Sequence, residues 1–128
     1  MKFVADASAI LAVVLNESDA AQFLNTMKNA STVWISVLNW WEVNTRARTV
    51  LGTHAEKVLE EFQQIVTLEV EPVTREQADA AAETFAKFKG RPHRLNMGDS
   101  FAHSLAVAKR APLLYKGDEF HNTGVETA

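Results

Sequence analysis

The sequence Met1-Lys2-Phe3-Val4-Ala5-Asp6-Ala7-Ser8 combines a short apolar segment with an acidic residue directly after it. Phe3-Val4-Ala5 predicts a buried strand. Ser8 is a candidate cap for a following helix, because its hydroxyl can accept a hydrogen bond from a first-turn amide. A charge that interrupts an apolar segment is costly to bury unless it has a partner. Asp6 is therefore the most informative acid in the chain.

Similar apolar segments recur along the chain and alternate with segments of helical periodicity. Further strands are predicted at Val33–Ile35, Val66–Val70 and Pro112–Tyr115. Helices are predicted to follow Ser8 and Asp19, and to cover Ser36 to about Leu51, His54–Ile65, Thr74 to about Phe88 (with a Thr74/Gln77 capping box) and about Met97 to Lys109. This alternation requires crossover connections and a parallel sheet covered on both faces. We expect one domain, residues 1–128, with an α/β fold of three α/β/α layers around a central parallel sheet.

The composition excludes several classes of protein. The chain has 128 residues, of which 47% are hydrophobic, and a net charge of −3, which does not favour disorder. It has no cysteine, which excludes a disulfide framework, a thiolate zinc site and a cysteine nucleophile. The apolar run Ala9–Leu15 is far shorter than the ~20 residues that cross a bilayer. We expect a cytoplasmic protein without a signal peptide or a membrane contact.

Four acids occupy equivalent places in this predicted topology, at or just beyond strand ends. Asp6 follows the first strand, and Asp118 lies shortly after the last. Glu42 is about two turns into the helix after the second strand, and Asp99 is near the start of the helix that leads to the last one. Right-handed crossovers bring the carboxyl ends of parallel strands to one edge of a sheet. We therefore expect these carboxylates to converge there.

Converging carboxylates repel one another, and a hard divalent cation relieves that repulsion. Mg²⁺, or Mn²⁺ in its place, takes oxygen ligands, whereas the chain lacks the usual zinc patterns. A surface role remains open for Glu42, because Arg46 lies four residues on and can pair with it. Ser8 lacks the Gly-x-Ser-x-Gly context of a nucleophile, and there is no Gly-rich phosphate loop. His103, one turn after Asp99, is more simply explained as a helix histidine with a local partner.

With these residues in view, the sequence resembles the PIN-domain ribonucleases, and among them the VapC toxins of bacterial toxin–antitoxin pairs. The resemblance covers essentially the whole chain. It rests on Phe3–Ala9, on Ile35-Ser36 followed by Glu42, on Leu95-Asn96-Met97-Gly98-Asp99-Ser100-Phe101-Ala102, and on Leu113-Leu114-Tyr115-Lys116-Gly117-Asp118-Glu119-Phe120. The chain departs from the family at His103, where such toxins often have tyrosine, at Gly124, where an acid often stands, and at the bulky pair Trp40-Trp41.

The resemblance implies Mg²⁺-dependent hydrolysis of RNA phosphodiesters. Asp6, Glu42, Asp99 and Asp118 would be the catalytic and metal-binding acids. The metal would lower the pKa of a water and stabilise charge on the phosphate. Five further residues are expected to bind substrate or to orient these groups: Ser8, Asn96, Lys116, Arg91 and Arg94. The last two lie in the basic stretch Lys87–Arg94, which is either a solvated loop or a phosphate-attracting rim.

The resemblance also implies partners: an RNA substrate, a cognate VapB-like antitoxin that covers the site, and a second copy in a homodimer. Trp40 and Trp41 are about 100° apart on one helix. Either both tryptophans pack within the fold, or one of them anchors an interface with a partner. Two other functions are considered: a PIN-fold nuclease of RNA maturation, and a non-catalytic module that binds nucleic acid or protein. Absence of metal binding and of cleavage would favour the module.

Overall fold

The computed structural model describes residues 1–128 and contains four strands and six α-helices. In chain order they are β1 (Lys2–Ala5), α1 (Ala7–Val14), α2 (Ala20–Lys28), β2 (Thr32–Ser36), α3 (Val37–Leu51), α4 (Ala55–Ile65), β3 (Leu68–Glu71), α5 (Arg75–Phe88), α6 (Met97–Lys109) and β4 (Leu113–Leu114). A single turn of 3₁₀ helix, Gly52–His54, joins α3 to α4. None of the helices has the length and apolar character needed to span a bilayer.

The four strands form one parallel sheet in the order β3-β2-β1-β4. Val4 is paired with Trp34 of β2 on one side and with Leu113 of β4 on the other, so β1 is a central strand. All four carboxyl ends therefore lie at the same edge, and Asp6 directly follows β1 at that edge. The predicted α/β fold with a central parallel sheet is confirmed.

The sheet separates two apolar clusters because successive side chains of a strand point to opposite faces. Phe3 and Ala5 of β1, with Val33 of β2, belong to a cluster of 17 buried residues that includes side chains of α1, α3 and α4. Val4 points the other way, into a cluster of eight buried residues to which α6 contributes three, Ala102, Leu105 and Ala106. Both faces of the sheet are thus covered, which explains why the buried part of β1, Phe3–Ala5, and the whole of β2 carry no charge.

Two predicted strands differ from the structure in their bounds. The segment predicted at Val66–Val70 forms a strand at Leu68–Glu71, because the amide of Val66 still closes α4 by donating to the carbonyl of Phe62. The segment predicted at Pro112–Tyr115 pairs as a strand only at Leu113–Leu114. Tyr115 leaves the ladder, and its hydroxyl lies 2.8 Å from the Thr127 hydroxyl.

The predicted helix caps are partly wrong. Asp6, not Ser8, caps α1, because the chain is still extended at Asp6 and its carboxylate accepts the Ser8 amide. Asp19 precedes α2 but its side chain caps nothing. Thr74 does cap α5 by accepting the Gln77 amide at 3.1 Å. The reciprocal half of that predicted capping box does not form, since the Gln77 side chain contacts the Ser104 hydroxyl instead.

The buried face of β2 supports a stability prediction. Ile35→Ala is expected to lower the free energy of unfolding by about 2–5 kcal/mol, because Ile35 is fully buried and the substitution leaves a cavity. Val70→Ala is the matched control, since Val70 lies in the same sheet but is 39% exposed. Urea unfolding of both variants measures the difference. Equal losses would contradict the described core.

Candidate active site

A cavity of about 580 Å³ opens at the carboxyl edge of the sheet. Its wall combines the start of α1, one face of α3, the start of α6 and the segment after β4. Four acids line it: Asp6, Glu42, Asp99 and Glu119. Three of these are predicted site residues, and the topology brings them together from positions spread over more than 90 residues of sequence.

Asp6 is held by Ser8 at the start of α1. Its carboxylate is 4% exposed and accepts hydrogen bonds from the Ser8 amide at 3.2 Å and from the Ser8 hydroxyl at 2.7 Å. The same hydroxyl accepts the backbone amide of Lys116 at 3.0 Å. Ser8 thus joins the end of β1 to the segment after β4, and it orients Asp6 without being a nucleophile.

Glu42 is held where α3 crosses the start of α6. The Asn39 side-chain amide donates to Glu42 Oε1 at 2.7 Å and to the Gly98 carbonyl at 2.9 Å. A Cβ atom on Gly98 would lie 2.4 Å from Glu42 Oε2, so only glycine leaves room for this carboxylate. The alternative pair of Glu42 with Arg46 is absent from the ion pairs of the structure.

Asp99 belongs to the cap of α6. The Asn96 side chain accepts the Asp99 amide at 2.8 Å, and the Asp99 carboxylate accepts the Asn96 amide at 3.0 Å. This reciprocal capping box fixes the backbone at the point where α6 enters the site. Asn96 also lines the cavity, so its position is compatible with the predicted contact to substrate.

The fourth carboxylate in the cavity is that of Glu119, although the sequence points to Asp118. Asp118 is exposed and does not line the cavity. The reason is a turn at Gly117, whose φ of 104° suits glycine. Glu119 folds back over this glycine, where a Cβ would lie 2.5 Å from its carboxylate oxygen. Two adjacent acids were visible in the sequence, but only the turn geometry tells which one faces inward.

The predicted basic contacts lie outside the cavity. The Lys116 ammonium is engaged on the surface by Glu17 at 2.8 Å and by Asp19 at 3.3 Å. Arg91 and Arg94 are exposed in the segment between α5 and α6, and neither lines the cavity. Contact of these three residues with substrate stays a prediction from the sequence.

His103 is likewise remote from the carboxylates. It is 6% exposed, and its Nε2 lies 2.7 Å from the Thr123 carbonyl oxygen. Burial lowers its pKa, which favours the neutral imidazole. These surroundings agree with the prediction that His103 is a helix histidine with a local partner.

Burial and mutual repulsion make the site unfavourable for negative charge. Burial raises the pKa of Asp6 to about 7, against the opposing effect of the Ser8 hydrogen bonds, and the nearby charges of Asp99 and Glu42 add to the rise. Burial likewise raises the pKa of Asp99 to about 6, with contributions from Glu119 and Glu42. A positive charge in the cavity would offset this penalty.

The donor set fits a hard divalent cation. The acidic side chains of the cavity offer carboxylate oxygens, which are the ligands that Mg²⁺ and Mn²⁺ prefer. The buried Oδ1 of Asn39, beside Glu42, has no hydrogen-bond partner. No three acidic or histidine side chains are already gathered at ligating positions around one point. Ion binding would therefore draw in carboxylates that share the cavity but do not yet converge.

The raised pKa of Asp6 leads to a prediction for stability. Its pKa in the folded state exceeds the ordinary value of 3.8, so the folded state holds this proton more tightly. The resulting stabilisation is present below pH 4 and is lost as the pH rises to about 7. Asp6→Asn removes the buried charge and is expected to stabilise the metal-free protein at pH 8 by up to about 4 kcal/mol.

Thermal melts of both proteins between pH 4 and pH 8, in the presence of a chelator, measure this effect. Asp79→Asn is the matched control, because Asp79 is exposed on α5. A variant that gains no stability over the natural protein as the pH rises would contradict the unfavourable burial of Asp6.

Comparisons with known proteins agree with this architecture. A family model described as PIN domain matches residues 3–126. Ribonuclease VapC28 of Mycobacterium tuberculosis is 34% identical to this chain in an alignment of 132 positions, which covers 98% of this chain and 96% of that protein.

Solved structures agree as well. The crystal structure of Mycobacterium tuberculosis VapC20, described as a sarcin-ricin loop cleaving toxin, superimposes with a TM-score of 0.81 at 16% identity and covers 98% of both chains. A chain of VapBC2 from Rickettsia felis, crystallised with a DNA fragment from their promoter, gives a TM-score of 0.76 at 14% identity over 100% of this chain and 98% of that one. The resemblance noted in the sequence is thus confirmed: the chain belongs to the PIN domain family.

Proposed function

We propose that this chain is a divalent-metal-dependent endoribonuclease that uses Mg²⁺, with Mn²⁺ as a substitute, to hydrolyse phosphodiester bonds of RNA. The observation that carries the proposal is the meeting of Asp6, Glu42, Asp99 and Glu119 in one open cavity at the carboxyl edge of the sheet. Acids that share a cavity, one of them buried, repel one another unless a cation is present, and hydrolysis of a phosphodiester is a reaction that such a cation assists. The relative VapC28, which is named a ribonuclease, supports RNA as the substrate.

Some residues of the site would bind the cation, and others orient the side chains that bind it. Asp6 and Asp99, whose pKa values are raised most, would hold the metal, with Glu42 and Glu119 beside them. When bound, the metal lowers the pKa of water and neutralises developing charge on the phosphate. Ser8 fixes the Asp6 carboxylate, Asn39 fixes that of Glu42 and the Asn96 amide fixes that of Asp99, so three of the four acids are oriented before substrate arrives.

We further propose that the chain is the toxin of a type II toxin–antitoxin pair in the cytoplasm, that it forms a homodimer, and that a VapB-like antitoxin neutralises it. VapC20 is described as a toxin, and the Rickettsia felis structure is that of a VapBC pair. The cavity that these four acids line is open, which leaves room for a segment of a partner to cover it.

Replacing the central acids tests the ribonuclease directly. Asp6→Asn and Asp99→Asn are each expected to lower Mg²⁺-dependent cleavage of total RNA by at least a hundredfold while the protein stays folded. Removal of the metal with a chelator is expected to abolish cleavage by the natural protein, and Mg²⁺ or Mn²⁺ to restore it. Asp79→Asn is the matched control. Full cleavage by both site variants would overturn the proposal.

The same cleavage assay shows which of the two neighbouring acids, Glu119 or Asp118, contributes more to activity. Because only Glu119 lines the cavity, Glu119→Gln is expected to reduce cleavage more than Asp118→Asn does. The reverse order would mean that the fourth acid is the one indicated by the sequence.

Gly98 provides a test in which none of the four acidic residues is replaced. Gly98→Ala adds a methyl group 2.4 Å from Glu42 Oε2, and the side chain of Glu42 must swing away to accommodate it. Cleavage is expected to fall about tenfold or more, while the melting temperature changes little, since the displaced atoms end a flexible side chain. Gly90→Ala is the matched control, because its new methyl group would meet open space. An unimpaired Gly98→Ala enzyme would show that the position of Glu42 is unimportant.

A further inference from the structure

The cavity has a second wall that the acid cluster does not account for. Four residues of α3 form it: Trp41, Thr45, Arg46 and Thr49. Thr45 and Thr49 lie one turn apart, as do Trp41 and Thr45, so the wall extends along the helix away from Glu42. Arg46 is the only cation that lines the cavity, and it is exposed and outside the ion pairs of the structure.

Trp41 differs from the other two tryptophans in that most of its side chain is exposed. The Trp34 indole donates to Glu69 at 3.1 Å, and the Lys109 ammonium lies 4.8 Å from its ring centroid. Trp40 packs against the larger apolar cluster. Trp41 is 63% exposed, beside the acids. Exposure of so large an apolar ring is unfavourable unless something covers it.

The surroundings of Trp41 are polar, which favours a nucleotide over an apolar protein surface. Two threonine hydroxyls, one guanidinium and four carboxylates line the same cavity. By contrast, the exposed Phe85 and Met97 lie in a groove between α5 and α6 whose lining is almost entirely apolar. An aromatic ring next to a free cation is how proteins bind single-stranded nucleic acid: the base stacks on the ring and the cation contacts the phosphate.

We propose that Trp41 is a specificity-determining residue on which an unpaired RNA base next to the scissile phosphate stacks, with Arg46 at the adjoining phosphate. The inference rests on the proposed ribonuclease function and deepens it, because it names the residues of this chain that would bind the substrate beside the acids. A stacked base must leave its duplex, so the enzyme selects single-stranded RNA or loops over paired RNA. A cavity of about 580 Å³ is in the range of sites for small ligands, about 300–1,000 Å³.

Steady-state cleavage of one fluorescent RNA of mixed sequence, single-stranded and annealed to its complement, tests this. Trp41→Ala is expected to raise KM for the single strand about tenfold with kcat within about twofold, which is the range of one lost base–aromatic contact. Trp41→Phe is expected to recover most of the loss, because a smaller ring still stacks. Phe85→Ala, an exposed aromatic residue in the other groove, is the matched control. The natural protein is expected to prefer the single strand, and Trp41→Ala to lose much of that preference.

A second readout follows the ring itself. In the Asp6→Asn background, which keeps the RNA intact, the single strand is expected to quench tryptophan fluorescence, and additional Trp41→Phe to remove most of that quenching. An unchanged KM for Trp41→Ala would overturn the proposal. So would a Trp41→Ala protein whose self-association or antitoxin binding is weakened while its KM is unaltered, since Trp41 would then be a protein contact. If the natural protein cleaves no RNA, the ribonuclease proposal fails and this one with it.

Discussion

The burial of one carboxylate, that of Asp6, is the constraint on which the site depends. It follows the central strand β1, where the sheet excludes water, and its hydrogen bonds to Ser8 only partly offset the loss of hydration. The same hydroxyl of Ser8 accepts the amide of Lys116, so the group that orients Asp6 also positions the turn carrying Glu119. A change at Ser8 would therefore disturb two sides of the cavity at once.

A second constraint is the close approach of α3 to the start of α6. Gly98 has no side chain, and the space that a methyl group would take is filled by the carboxylate of Glu42. Asn39 bridges the two helices by donating to both partners. The capping box of α6 then presents Asp99 from the same turn. The fold thus gathers acids that repel one another, and the raised pKa of Asp6 predicts that its charge destabilises the metal-free protein at neutral pH and above. This is the usual relation between a functional site and the stability of its scaffold.

Much of the fold and part of the site could be predicted from the sequence. The alternation of short apolar segments with segments of helical periodicity was enough to predict the parallel sheet. The positions of the strand ends were enough to predict that Asp6, Glu42 and Asp99 lie together. The remaining differences between the predicted and the observed surroundings of the site come from interactions that sequence spacing does not contain. Lys116 pairs with acids almost 100 residues away, and the choice of Glu119 over Asp118 depends on one turn. Helical spacing placed the two neighbouring tryptophans on different faces, but only the packing shows which of them is exposed.

Binding of a divalent cation among these carboxylates is open to direct observation in an anomalous difference map from a crystal grown with Mn²⁺. A peak is expected inside the cavity, bonded to carboxylate oxygens of Asp6 and Asp99. A crystal in which Mn²⁺ occupies only surface acids, with the cavity empty, would contradict this expectation.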